Sequence, residues 1–161
     1  MFKDTADWTG IKLVSENVGP GINRAPQYEV NGYSYATIGE KLIAEMLAAA
    51  RVHFTPDVGI TISIPEHERV GKEKETKLYV PDFVFNFRAF LWCEHGKDPE
   101  LIHGLEAKGA SLGFFPKRGL KYVRLLKEQK GIVIKLLGET QIRQFHANGG
   151  RLPMQLIRKK S

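Results

Sequence analysis

Apolar residues recur at helical spacing over about Ala36 to Val52, where Ile38, Leu42, Ile43, Met46 and Leu47 join the alanines on one stripe. Pro56 stops any continuation. Just upstream, Gln27 to Val30 reads as a short strand running into an Asn31-Gly32 turn. Beyond the helix the pattern turns β-prone. Val58 to Ile64 is rich in β-branched residues and is ended by Pro65; Lys77 to Phe87 is a long second run; Leu101 to Lys108 is a third. Between the first two, Glu66 to Thr76 carries the run Lys72-Glu73-Lys74-Glu75, which is expected to be a solvated hairpin tip. Arg88 to Glu100, with Gly96 and Pro99, is expected to turn between the second and third strands.

A Gly- and Pro-containing loop, Gly109 to Pro116, leads into a helix over about Lys117 to Gln129. A buried-type strand, Ile132 to Leu137, follows, then a helix from Glu139 to His146, closed by Asn148-Gly149-Gly150. The tail, Arg151 to Ser161, offers an edge strand around Met154 to Ile157. Residues 1–26 hold Gly19-Pro20-Gly21 and Ala25-Pro26 and read as an irregular arm. At 161 residues the chain suits one domain. The order of elements predicts an α/β fold, a mixed central β-sheet flanked by helices. Its fourth strand should lie parallel to its partner, because a crossover helix joins them.

Strand alternation then singles out charged residues in apolar company. On the second strand Leu78, Val80, Asp82 and Val84 share one side, and Tyr79, Phe83, Phe85 and Phe87 the other. A carboxylate in line with valines is costly to bury without a metal ion or a cationic partner. On the third strand Glu106 and Lys108 point the same way as Ile102 and Gly104, whereas Leu101, His103, Leu105 and Ala107 point opposite. A glycine at 104 leaves space for a ligand or a close backbone. A cross-strand ion pair of Lys108 with Asp82 or Glu106 explains these residues equally well. Glu40 lies on the helix stripe with Ile43, Ala44 and Leu47, leaning toward the core. Thr37-x-x-Glu40 is also a capping box, in which Glu40 closes back on the helix start. Both roles hold together if that helix start sits above the sheet.

Pro81-Asp82, followed by Glu106-Ala107-Lys108 on the next strand, resembles the signature of the PD-(D/E)xK nuclease superfamily, and Glu40 matches the extra glutamate of many members. The similarity spans about Ala36 to Ile142; the Thr37-x-x-Glu40 helix start, VPDF and GLEAKG look similar to transposon-end, homing and restriction endonucleases. The resemblance implies a restriction-endonuclease-like αβββαβ core and a metal-dependent DNA endonuclease. It implies Asp82, Glu106, Lys108 and Glu40 as the catalytic set. Asp82, Glu106 and the Ala107 carbonyl would bind Mg2+, with Mn2+ as a substitute. The chemistry accounts for these residue types, since magnesium takes one or two carboxylates plus waters and phosphate oxygens. Bound, it acidifies water and neutralises phosphate charge. A lysine beside it can position or deprotonate water. A catalytically inactive or partner-dependent nucleic-acid-binding module of the same fold is the alternative.

Charge adds to this picture. The net charge is +6, and the surplus of Lys and Arg favours a polyanionic partner. Lys117, Lys121 and Arg124 fall on one face of the second long helix and are candidate phosphate contacts, although a solvated helix face would look the same. A single cysteine, Cys93, excludes an internal disulfide framework and a multi-cysteine zinc cage. No stretch resembles a membrane span or a signal peptide, so a cytoplasmic location is expected. One such domain would hold one active site, so cutting both strands of DNA implies a homo-oligomer or a partner protein.

Overall fold

The computed structural model describes residues 28–86, 88–108 and 117–157. The irregular arm, the loop Gly109 to Pro116 and the last basic residues lie outside the described residues. The described elements are mixed α and β. A hairpin of β1 (Tyr28–Val30) and β2 (Tyr33–Tyr35) turns at Asn31 and Gly32, whose φ angles of 51° and 81° are both positive, as a two-residue hairpin turn requires. The sequence reading recognised the turn but not its second strand.

Helix α1 runs Ile38–Ala49, shorter than its apolar pattern suggested. Thr37 caps its start, and Arg51, at φ 58°, ends it by turning the chain into the left-handed region. Strands β3 (Phe54–Thr55), β4 (Ile60–Ser63), β5 (Thr76–Tyr79), β6 (Phe83–Phe85), β7 (Phe90–Trp92), β8 (Glu100–Ile102) and β9 (Gly104–Lys108) follow. Helix α2 (Lys117–Lys130), strand β10 (Ile134–Gly138), helix α3 (Glu139–Ala147) and strand β11 (Met154–Leu156) complete the order.

The main sheet is β10-β9-β6-β3. Strand β10 is parallel to β9, as the crossover helix demands, and β6 is antiparallel to both β9 and β3. Strands β4 and β5 form a separate two-stranded hairpin, and β11-β7-β8 a small antiparallel sheet. Four expectations are corrected here. The run Lys77 to Phe87 is two strands: Pro81 has no N–H to offer a ladder, so the chain leaves β4 and joins β9 instead. The run Leu101 to Lys108 is also two strands, and the alternation slips by one residue at His103. Ile102 and Leu105, three apart, therefore share one core cluster. The segment Arg88 to Glu100 contains β7, whose Phe90 and Trp92 are buried. Finally, Val58 to Ile64 supplies the hairpin strand β4 rather than a member of the main sheet.

Two apolar layers flank the sheet. On one side α1 and α3 bury Ile43, Leu47 and Ile142 against Phe83, Phe85, Leu105 and Leu137. On the other, α2 and the β4–β5 hairpin bury Tyr122, Leu125, Leu126, Ile60 and Ile62 against Val84 and Ile134. No helix among the described residues is long and apolar enough to cross a membrane.

Candidate active site

Asp82, Glu106 and Lys108 meet where β6 leaves its ladder with β9. Phe83 pairs with Leu105, so Asp82 and Glu106 flank that pair on neighbouring antiparallel strands. Past this point Asp82 takes over with its side chain, Oδ2 accepting the Ala107 N–H at 2.8 Å. Glu106 is only 5% exposed, and its Oε2 accepts from Tyr79 Oη and from Lys108 Nζ, each at 2.8 Å. The ion pair that the sequence left open forms between Lys108 and Glu106, within one strand and not across two, on one face of β9.

Gly104 makes the close approach possible. A Cβ there would overlap the Phe83 carbonyl oxygen and lie 2.8 Å from Ile134 Cδ1, so the space the glycine leaves is filled by backbone. Gly119 does the same for α2: a Cβ at that position would sit 3.4 Å from Lys108 Nζ. The start of α2 therefore passes directly over the lysine.

Glu40 pairs with the helix start, as the capping reading requires. Thr37 Oγ1 accepts the Glu40 N–H at 3.2 Å, and the Thr37 hydroxyl donates to Glu40 Oε2 at 2.7 Å. The helix start also sits on β9, with Gly39 placed so that a Cβ would be 3.6 Å from Ala107 Cβ. From there the Glu40 charge reaches Asp82. Burial pushes the Asp82 carboxyl well above the usual range, and the charges of Glu106 and Glu40 push it further. The Ala107 N–H and Lys108 oppose this without cancelling it.

Tyr79 belongs to the constellation and was missed. A single straight strand would have put it on the face opposite Asp82, but the break at Pro81 restarts the alternation. Tyr79 and Val84 consequently share the α2-side layer. Burial and then Glu106 raise the Tyr79 phenol far above its ordinary value, so it stays a proton donor to that carboxylate. Pro81 was the available signal.

The basic helix is placed differently from expectation. Lys121 Nζ donates to Glu73 and to the Glu68 carbonyl, Tyr122 donates to Glu73, and Arg124 pairs with Glu68 and Glu128. Of the charged run, Glu73 folds onto α2, whereas Lys72, Lys74 and Glu75 are exposed at the end of the β4–β5 hairpin, as a solvated tip requires. Lys121 and Tyr122 hold the Glu73 carboxyl down at about 2. The Lys117 side chain lies outside the described residues.

Among the described residues no three His, Cys, Asp or Glu side chains are grouped to hold a metal ion. Asp82 and Glu106 stand as a pair, with Ala107 between Glu106 and Lys108 in the ladder to β10. No protein-family model, curated protein or solved structure matches the chain.

Proposed function

We propose that this chain is a metal-dependent endonuclease that hydrolyses phosphodiester bonds in DNA, on a restriction-endonuclease-like core. The observation that carries the reading is the meeting of Asp82, Glu106 and Lys108 on two adjacent strands, with Lys108 Nζ 2.8 Å from Glu106. The succession of α1, antiparallel strands, α2 and a parallel β10 supports the core. The donor set suits a hydrated magnesium ion, which needs one or two carboxylates and no three-residue cage. Asp82 and Glu106 would hold it, with the Ala107 carbonyl as a further oxygen. The partly buried Asp82 carboxyl, repelled by Glu106 and Glu40, calls for a nearby positive charge.

Bound there, a divalent cation supplies Lewis acidity, neutralising phosphate charge and acidifying water. The protein does the rest. Lys108 places a positive charge and a proton-exchanging amine beside the reacting phosphate. Tyr79 fixes the orientation of Glu106 through its hydroxyl. The Asp82 contact to the Ala107 N–H holds the two strand ends together, so both carboxylates keep their spacing. Glu40 adds negative charge from the α1 side, which strengthens cation binding.

The test is cleavage of plasmid DNA in magnesium and in EDTA by wild type and Asp82→Asn. Asparagine keeps the shape and can still accept the Ala107 N–H. Asp82→Asn should lose cleavage yet melt at the same or a higher temperature without metal, because it removes a carboxylate whose charge the fold disfavours. Cutting at the wild-type rate would falsify the proposal. Inactivity accompanied by unfolding would make Asp82 a structural cap of the ladder and nothing more.

A further inference from the structure

We infer that the groove between the β4–β5 hairpin and α2 is a contact surface for the phosphodiester backbone of DNA, carried by Lys72, Lys74 and Lys77. The inference rests on the reading of the chain as acting on DNA, and it moves the polyanion contact from the helix to the hairpin. The groove encloses about 360 Å3 and is lined by these three lysines together with Val70, Glu73 and Tyr122, among others. All three lysines are exposed, and none forms an ion pair with a described residue. Glu73, the one carboxylate lining the groove, is already engaged by Lys121 and Tyr122. Glu75, the other acid of the run, does not line it.

The described lining of the groove is thus net positive, whereas Lys121 and Arg124 on α2 are already compensated. This distinction decides which residues attract a polyanion. A lysine paired with a glutamate holds no counterion to release, and an unpaired lysine does. Lys77 Nζ stands 5.6 Å from the centroid of the Tyr122 ring, which steadies the amine at the floor of the groove. A ring contact ties the groove wall to the candidate site. Tyr122 lies 6.2 Å, centroid to centroid, from Tyr79, whose hydroxyl holds Glu106. A backbone whose scissile phosphate sat at Glu106 and Lys108 would run along the same α2-side face to the three lysines.

The experiment is binding of a fluorescein-labelled DNA duplex to the full chain in EDTA, by anisotropy across a salt series. The proteins compared are wild type, Lys72→Gln/Lys74→Gln/Lys77→Gln, and Lys127→Gln/Lys130→Gln as a charge-removal control elsewhere on α2. The groove variant should bind at least tenfold more weakly at low salt. Its slope of log affinity against log salt should be shallower by about two to three, since each phosphate contact contributes about 0.9. The control should change the slope by less than about one. Equal slope loss per charge in both variants overturns the inference, because attraction would then be general, and so does the absence of DNA binding by wild type. A magnesium cleavage assay separates the two readings. Salt-dependent binding through the groove without cleavage leaves the groove and removes the nuclease; a groove variant that binds and cuts like wild type does the reverse.

Discussion

His103 is where acid should reach the strand that carries Glu106 and Lys108. It is 2% exposed, and its Nδ1 accepts the Val133 N–H at 2.9 Å. Its own N–H donates to the Val133 carbonyl at 2.7 Å, and its carbonyl accepts from Phe85 at 3.0 Å. Ring and backbone together pin the slip between β8 and β9. Burial lowers the imidazole pKa from 6.5 to about 4. Between those values the unfolded chain binds a proton that the folded chain refuses, so stability falls as pH drops. The contribution is fully present above about 6.5, lost progressively below it, and level again below about 4. At about 1.4 kcal/mol per unit the whole step is about 3 kcal/mol, of which about 1.4 kcal/mol is lost by about pH 5.5. Urea denaturation of wild type and His103→Gln over this pH range isolates the effect, because other titrating groups are common to both proteins. Glutamine can accept the Val133 N–H and does not titrate. The difference between the two stability curves should shrink by about 3 kcal/mol from neutral pH to about pH 4. Curves that stay parallel within about 0.5 kcal/mol refute the burial argument.

Two further substitutions probe the same junction. Gly104→Ala should cost about 3 kcal/mol, because its methyl would overlap the Phe83 carbonyl and backbone cannot yield as a side chain does; unchanged melting would show that β6 and β9 move apart freely. Tyr79→Phe keeps the ring but removes one of the two partners of Glu106, and should cost about 2 kcal/mol while weakening magnesium binding by calorimetry. A variant as stable as wild type with unaltered magnesium affinity would show that Lys108 alone orients that carboxylate.

Local periodicity and local chemistry were legible without a structure. The α1 stripe, the Asn31-Gly32 turn and the parallel β10 all follow from neighbours within a few residues or from one topological rule. The shared face of Glu106 and Lys108 was equally readable, because β9 is uninterrupted from Gly104 to Lys108. What the chain order left undecided is everything that depends on which strand a segment pairs with. Pro81 ends one ladder and the slip at His103 ends another, and each inverts the faces on its far side. Tyr79 thereby reaches Glu106, and Ile102 leaves the Glu106 face for the other layer. The fate of Lys121 and Arg124 was likewise undecided. Charge sign is written in the sequence, but pairing depends on carboxylates 48 and 56 residues away being brought onto the same helix face. Sequence determined which residues can do chemistry and in what local order; tertiary structure decided which of their charges are compensated, because electrostatic pairing acts over ångströms in space and not over residues in the chain.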